Sequence, residues 1–267
     1  MTYVTGLFKA VQDVKAVFDG DNYRILPVIF LRDDIYELIQ DSDKNKWNDY
    51  KIELDWDIWK IQDLLAFRIS RAIDRNGTIL SFPEAWGRLV VNRQIGIGSS
   101  RRGKPRRQVP LFDYITRSTQ LRPRDYVQFL QACAQGQLGR RNELITVSTV
   151  RIVDKAFSNY MRNELVDEVH GILPDIQSIL DIISQIRKWS FSISEFRKIF
   201  DRQLASGVLQ TKDVDFVLKI LFHFSIIGNQ PKQKQVIVFR YANKEARFNF
   251  NEQIIVHRGL FKALQIL

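Results

Sequence analysis

The sequence predicts a mainly α-helical fold with a minor β component, an α+β class, on three observations. Apolar residues recur at helical spacing along most of the 267 residues. Short runs of strand type appear only toward the two ends of the chain. Hydrophobic residues make up 45% of the sequence, which is enough to bury a core. We therefore expect a helical middle flanked by small β elements.

The N-terminal quarter alternates between helix-type and strand-type patterns. Helical spacing predicts an amphipathic helix over 3–18 and another helix over 55–73. The continuous apolar run of 24–31 predicts a strand buried on both faces, although Pro27 cannot donate to its ladder, and 50–54 predicts a second strand. This alternation is typical of part of a parallel α/β sheet, and two strands are too few for an independent one.

The middle of the chain predicts helices around one basic loop. Pro83 and Pro123 mark two helix starts, and a long helix is expected to end at Gly171. Residues 92–110 are rich in Gly, Ser, Arg and Pro, which predicts a loop.

The C-terminal third predicts three helices followed by two strands. Ser194 and Thr211 are the expected N-caps of the second and third helices. Three helices and a β-hairpin form the element order of a winged helix. The predicted helices cover 173–189, 192–207 and 211–229, and the strands 234–242 and 246–257.

Positive charge is concentrated in two regions of a chain whose formal net charge is +10. Residues 86–141 contain 12 Lys/Arg and 2 Asp/Glu, and residues 173–267 contain 14 and 8. Such blocks indicate a polyanionic partner, either nucleotide phosphates or nucleic acid. The alternative is a solvated basic face without a ligand. The densest basic patch consists of Arg101, Arg102, Lys104, Arg106 and Arg107.

Part of this patch has the spacing of a phosphate-binding loop, because residues 98–104 read G-x-x-x-x-G-K. Pro105 stands where Ser or Thr would hold Mg²⁺. Neither a buried strand before the loop nor a helix after it is predicted. We therefore interpret the stretch as a flexible basic loop.

Two arginine motifs favour phosphate recognition. Arg32 follows the apolar run at the tip of the predicted strand, where α/β sheets bind ligands, and Asp33 comes next. In the R-P-R-D sequence at 122–125, Arg122 and Arg124 have the geometry to fork onto phosphate oxygens or onto an acidic partner. Helix capping and ion pairing are the structural alternatives for both motifs.

Catalytic and metal-binding patterns are not predicted. Asp49 and Lys51 form a D-x-K pair of the kind that metal-dependent nucleases use, but this spacing is common by chance. One cysteine, Cys133, and three separated histidines give no metal-ligand spacing. A lone cysteine indicates a reducing compartment, and no apolar run approaches the ~20 residues of a membrane span, so a cytoplasmic location is expected.

Several segments together resemble a family of poorly characterised bacterial P-loop ATPases of STAND, KAP and AAA+ type. The resemblance covers nearly the whole chain and corresponds to the C-terminal two thirds of such proteins. The segments are PVIFLRDDIYELIQDSDKNKW, IELDW, EAWGRL, RPRDYVQFLQ and IIVHRGLFKAL.

The resemblance implies a remnant of a parallel α/β ATPase core over 1–80, a helical lid over 81–172 and a winged helix over 173–267. It assigns nucleotide sensing to four residues: Arg32, Asp33, Arg122 and Arg124. ATP and Mg²⁺ are implied for a complete site, but this sequence contains neither a Walker A nor a Walker B motif, so this chain alone is expected to bind no cofactor and to have no autonomous ATPase activity.

The expected role is regulatory or partner-binding. The implied partners are the missing ATPase half or a second copy, and another protein at the winged helix; the resemblance allows phage defence as a setting. The alternative is a standalone winged-helix protein that binds nucleic acid.

Overall fold

The chain, examined as a computed structural model, divides into two units, Met1–Asp55 and Trp56–Leu267. The residues that the structure describes are 2–18, 25–32, 35–36, 39–91, 94–97, 107–138, 144–231 and 236–266. The predicted fold class is confirmed, because helices dominate the described chain and its strands form only two small antiparallel sheets. The boundaries expected at residues 80 and 172 lie inside the second unit and stay predictions.

The described part of the first unit has a very small core. Two of its helices are α1 (Thr2–Phe18) and α2 (Lys44–Trp47), and a 3₁₀ turn follows at Asn48–Tyr50. Phe8 of α1 stacks on Trp47 with ring centroids 4.7 Å apart. The described apolar residues that this unit buries are Tyr36, Ile39 and Trp47.

Both strands predicted in the first unit are wrong. Residues 25–31 and 52–54 lie outside any helix or strand, and Tyr50 ends the 3₁₀ turn. The apolar pattern of a strand is present in both segments, but a ladder requires a neighbouring strand. Neither segment pairs its backbone with the other or with another described part of the chain.

The first part of the second unit, residues 56–170, is called the helical half. Asp57 caps its first helix by accepting a hydrogen bond from the Lys60 amide at 2.8 Å, and Ser81 and Glu84 form a capping box on the second. Its elements are α3 (Ile58–Ile73), α4 (Phe82–Leu89), β1 (Gln94–Ile97), β2 (Arg107–Pro110), α5 (Leu111–Thr116), α6 (Pro123–Gln137) and α7 (Val147–His170).

The segment 92–110, predicted as a loop, contains a β-hairpin. β1 and β2 pair antiparallel, with Ile95 opposite Val109 and Ile97 opposite Arg107. Ile95 is buried in the core of the helical half, which fixes the face of the hairpin stem. Basic residues 101, 102, 104 and 106 of the predicted patch lie outside the described residues.

The second part, residues 171–266, is called the C-terminal half. Its strands form an antiparallel sheet in the order β3-β5-β4. The helices pack their apolar faces against this sheet, with Phe196 and Phe200 fully buried. The elements are α8 (Ile176–Ile186), β3 (Ser190–Phe191), α9 (Ile193–Ala205), α10 (Val214–His223), β4 (Ile227–Gln230), β5 (Gln253–Val256) and a 3₁₀ turn (Arg258–Leu260).

The predicted N-caps of this half are wrong by two residues each. Ser192, not Ser194, caps α9 and forms a capping box with Glu195. Asp213, not Thr211, caps α10, because its carboxylate reaches the amides of the first turn. The Thr211 amide instead donates to Oδ2 of Asp175 at 2.7 Å.

The C-terminal hairpin differs from the predicted one in its first strand. α10 ends at His223, Ser225 adopts a left-handed φ of 54°, and β4 follows inside the segment predicted as helix. Within 236–252 one bridge links Val238 to Asn229. The Asn229 side chain accepts from the Asn249 amide (2.9 Å) and donates to its carbonyl (3.0 Å). This side-chain amide therefore supplies the pairing that a predicted strand would have made.

Close packing joins the two halves of the second unit at Gly259. A Cβ atom there would overlap Sδ of Met161 and the backbone carbonyl of Ser118. Four residues further along, the backbone amide of Ala263 donates a hydrogen bond to Oγ of Ser158 on α7 at 2.9 Å. The end of the chain is thus fixed directly on α7.

We expect Gly259→Ala to lower the free energy of unfolding by roughly 1–3 kcal/mol, because the added methyl group overpacks this contact. Gly171→Ala is the matched control, since nothing lies within 4 Å of its Cβ position. Chemical denaturation measures the free energy of unfolding of both variants. Equal values would contradict the prediction, because the added methyl group would then be accommodated without loss of stability.

Candidate functional site

The R-P-R-D motif fastens the start of α6 to α7. Arg122 forms a bidentate pair with Glu168, with N–O distances of 2.7 and 3.1 Å. Arg124 forms an ion pair with Glu164, which lies one helical turn before Glu168 on α7. Asp125 is buried and accepts a hydrogen bond from the Gln120 amide at 3.1 Å.

The structure brings only part of the predicted nucleotide-sensing set together. Arg122 and Arg124 are neighbours at the start of α6, but Arg32 belongs to the first unit and Asp33 lies outside the described residues. A phosphate at Arg122 or Arg124 would compete with the carboxylates that already bind these guanidinium groups. Nucleotide sensing by these residues stays a prediction.

A shallow groove between α3 and α6 begins at the same place. Its volume is about 380 Å³. Arg68 gives the groove positive charge, Arg124 lines it while paired with Glu164, and Trp56 gives it an aromatic wall. Groups of this kind suit a planar or apolar ligand that also carries negative charge. The lining residues are Trp56, Leu64, Arg68, Pro123, Arg124, Val127, Gln128 and Gln131.

Sequence reasoning missed a buried polar contact between the two halves, which we call the joint. Residues 118–120 are buried, and the Gln120 side chain donates to the carbonyls of Phe224 (3.0 Å) and Ser225 (3.3 Å). His257 is buried opposite them, and its Nδ1 accepts from the Gly259 amide at 3.1 Å. A Ser-Thr-Gln run between helices resembles an exposed turn, so local sequence carries no sign of this contact.

The joint keeps its histidine neutral. Burial lowers the pKa of His257 to about 4, and the positive charges of Arg122 and Arg258 act in the same direction. The backbone of Thr119 opposes the shift without cancelling it. Protonation of this imidazole would therefore introduce an unfavourable charge between the halves.

Two further titratable groups of the second unit, Cys133 and Asp125, are also buried. Burial raises the pKa of the Cys133 thiol to about 12, so this group stays protonated at neutral pH. Burial also raises the pKa of Asp125, although the Gln120 amide and the two neighbouring arginines oppose the rise.

Two further properties concern the described part of the chain. No group of three or more His, Cys, Asp or Glu side chains there is arranged to hold a metal ion. None of the helices in these ranges has the length and apolar character needed to cross a membrane.

Residues 60–166 match the family model of a FunZ-associated C-terminal helical domain. The match begins in α3 and ends in α7, so it contains the R-P-R-D motif and the hairpin β1–β2. Comparison with curated proteins and with solved structures gave no match. The similarity therefore concerns the helical half.

We expect the free energy of unfolding to fall as the pH is lowered from about 6.5 to about 4, by roughly 2–3 kcal/mol, because of His257. In this window the unfolded chain binds a proton that the folded chain excludes. The stabilising effect is fully present above the unfolded pKa and is lost as pH falls toward the folded one.

Urea denaturation between pH 4 and 7 measures this dependence. His257→Asn should flatten the profile, whereas His170→Gln, at an exposed helix end, should leave its slope unchanged. A profile that keeps its slope without the imidazole of His257 would show that other groups cause it.

Proposed function

We propose that this chain is a regulatory, partner-binding portion of a P-loop ATPase assembly and is not catalytic alone. In this proposal residues 1–80 are part of an α/β core whose other strands come from another polypeptide segment. Residues 81–172 act as a helical lid and residues 173–267 as a winged helix. ATP and Mg²⁺ bind at the completed site.

The incompleteness of the first unit carries the proposal. Four apolar side chains in its two strand-like segments are largely exposed: Leu26 at 74%, Phe30 at 87%, Ile52 at 86% and Leu54 at 76%. Burying such side chains would contribute about 1.5–3 kcal/mol each. Among the described residues of this unit only three apolar side chains are buried, which is a small core for a unit of this size.

A β-sheet is the partner structure that fits these segments. Residues 25–31 are apolar throughout, as in a strand covered on both faces, and Ile52 and Leu54 alternate with Glu53, as in a strand covered on one face. The backbone groups of 25–31 make no hydrogen bond within the described chain, and pairing with a strand would satisfy them. One partner thus removes both the exposed apolar surface and the unpaired backbone.

The C-terminal half supports the winged-helix part of the proposal. The elements follow in the order helix, short strand, helix, helix, strand, strand, and a long connection separates the last two strands. The first strand, β3, pairs with the last, β5. The long connection between β4 and β5 corresponds to a wing. Its Phe250 ring lies 5.8 Å from the Lys219 amine, so the wing reaches the exposed side of α10.

Charges around α10 favour a protein partner over a nucleic-acid groove. Asp213 and Asp215 lie at the start of this helix, and Asp215 forms an ion pair with Arg197. Lys219 is in contact with the wing. A helix that reads a DNA groove needs exposed basic and polar residues, which α10 largely lacks.

Similarity to a domain described as helical and C-terminal supports an accessory role for the helical half. The groove at Arg68 and Arg124 gives this half a place where a nucleotide of the completed site could make contact.

Hydrogen exchange tests the incomplete sheet in the isolated chain. We expect amides of 25–31 and 52–54 to exchange near their intrinsic rates, because they have no backbone partners, while α7 and α8 are protected. Phosphate release should show no Mg²⁺-dependent ATP hydrolysis. Strong protection of both segments in a monomer, or hydrolysis by the chain alone, would refute the proposal.

Paired variants separate a partner surface from a folding defect. Phe30→Lys and Ile52→Lys should leave the melting temperature of the isolated chain unchanged, because both side chains are exposed. Each should weaken association with an added P-loop partner. Ile152→Lys, at an exposed position of α7, is the matched control and should associate normally.

A further inference from the structure

We propose that the groove between α3 and α6 binds an acidic amphipathic helix of another protein. The groove lies within the helical half and is lined by residues of these two helices together with Trp56, which precedes the cap of α3. The inference goes beyond the proposed function, because it requires neither an ATPase partner nor a bound nucleotide.

The two walls of the groove are faces of helices. Lining residues recur at i, i+3, i+4 and i+7 on α6 and at i and i+4 on α3, which are the spacings of a single helix face. They are Arg124, Val127, Gln128 and Gln131 on α6, and Leu64 and Arg68 on α3. From Arg124 to Gln131 the wall extends about 10 Å at a rise of about 1.5 Å per residue, which is nearly two helical turns.

The shape of the groove favours a helix of a partner over a small molecule. Pockets for small molecules bury about 70–90% of the ligand surface. A shallow groove between two helices covers only one side of its occupant. An amphipathic helix offers one apolar side and keeps its polar side in water, and such helices bind in grooves through residues spaced i, i+3, i+4 and i+7.

Apolar contacts for such a helix are present along the groove. The Trp56 side chain is 42% exposed, and Leu64 and Val127 are half-buried. Tryptophan and arginine are among the residue types that most often dominate the binding energy of protein interfaces. Trp56 and Arg68 therefore suit a partner that inserts apolar side chains and places a charged group beside them.

The charge of the groove favours acidic residues on the partner. The lining contains two arginines and no aspartate or glutamate. Arg124 is paired with Glu164, whereas Arg68 is exposed and pairs with no carboxylate of the described chain. One carboxylate of a helix matches this remaining positive charge, while the triphosphate of a nucleotide carries several negative charges. The groove is therefore complementary to an acidic helix.

The exposed amphipathic helix of this chain itself does not fit the groove. α1 exposes apolar side chains, among them Tyr3 at 94% and Val17 at 72%. Its charged residues are two lysines and one aspartate, so α1 is positive and Arg68 would repel it. The charge thus favours a helix of a different protein over α1 of a second copy.

Selection with the full chain tests the groove, using a displayed library of helical peptides about 15 residues long. The peptides carry varied apolar residues at i, i+3, i+4 and i+7, with acidic residues on the polar face in one half of the library and basic residues in the other. We expect the acidic half to be enriched, because its members complement Arg68. Fluorescence anisotropy of a labelled, enriched peptide then measures its affinity for variants of the chain.

Two groove variants and one control locate the binding. Arg68→Glu should weaken binding roughly tenfold, because an attraction becomes a repulsion, and Gln128→Trp should weaken it by as much because it fills the groove. Both side chains are exposed, so the melting temperature should not change. Arg202→Glu, at an exposed position of α9, changes the net charge equally and should bind as the unmodified chain does.

Four results would overturn the proposal: no enrichment, enrichment of the basic half, binding that neither groove variant weakens, or an equal loss in Arg202→Glu. If ATP displaces the peptide and Arg68→Glu weakens ATP binding to the same extent, the groove is a nucleotide site instead. None of these results alters the hydrogen exchange of 25–31, so this inference can fail while the proposed function stands.

Discussion

The second unit depends on one constraint: α7 belongs to two hydrophobic cores at once. Val153 and Phe157 pack into the core of the helical half, and Met161 and Leu165, further along the same helix, pack into that of the C-terminal half. Polar residues of α7 also bind the segments packed beside it. Its glutamates form ion pairs with the start of α6, and Ser158 accepts a hydrogen bond from the Ala263 amide. The halves are therefore parts of one body, and contacts at the joint are made against a rigid support.

Local sequence predicted the helices well because their determinants lie within a few residues. The capping box at Ser81 and the proline at the start of α6 are examples. Strands were predicted poorly, because pairing depends on distant segments. Residues 25–31 have the continuous apolar run of a buried strand but no described strand beside them. β4 is a four-residue strand that directly follows α10, and the helical apolar spacing continues into it.

The candidate sites show the same limit. The sequence predicted that Arg122 and Arg124 lie at a helix start and that they could form ion pairs. It did not identify the partners, which lie on α7, 40 or more positions along the chain. Gln120 and His257 carry no local signal at all, since their burial exists only when the halves are joined.

The burial of Cys133 has a kinetic consequence. The chain has one thiol, and it lies inside the core of the helical half, where no reagent reaches it in the closed state. Alkylation must therefore wait for α6 to separate from its neighbours, and its rate reports how often that half opens. Because the first unit contains no cysteine, its fluctuations do not contribute directly to the signal. The alkylation rate of Cys133 thus reports the opening of the second unit alone.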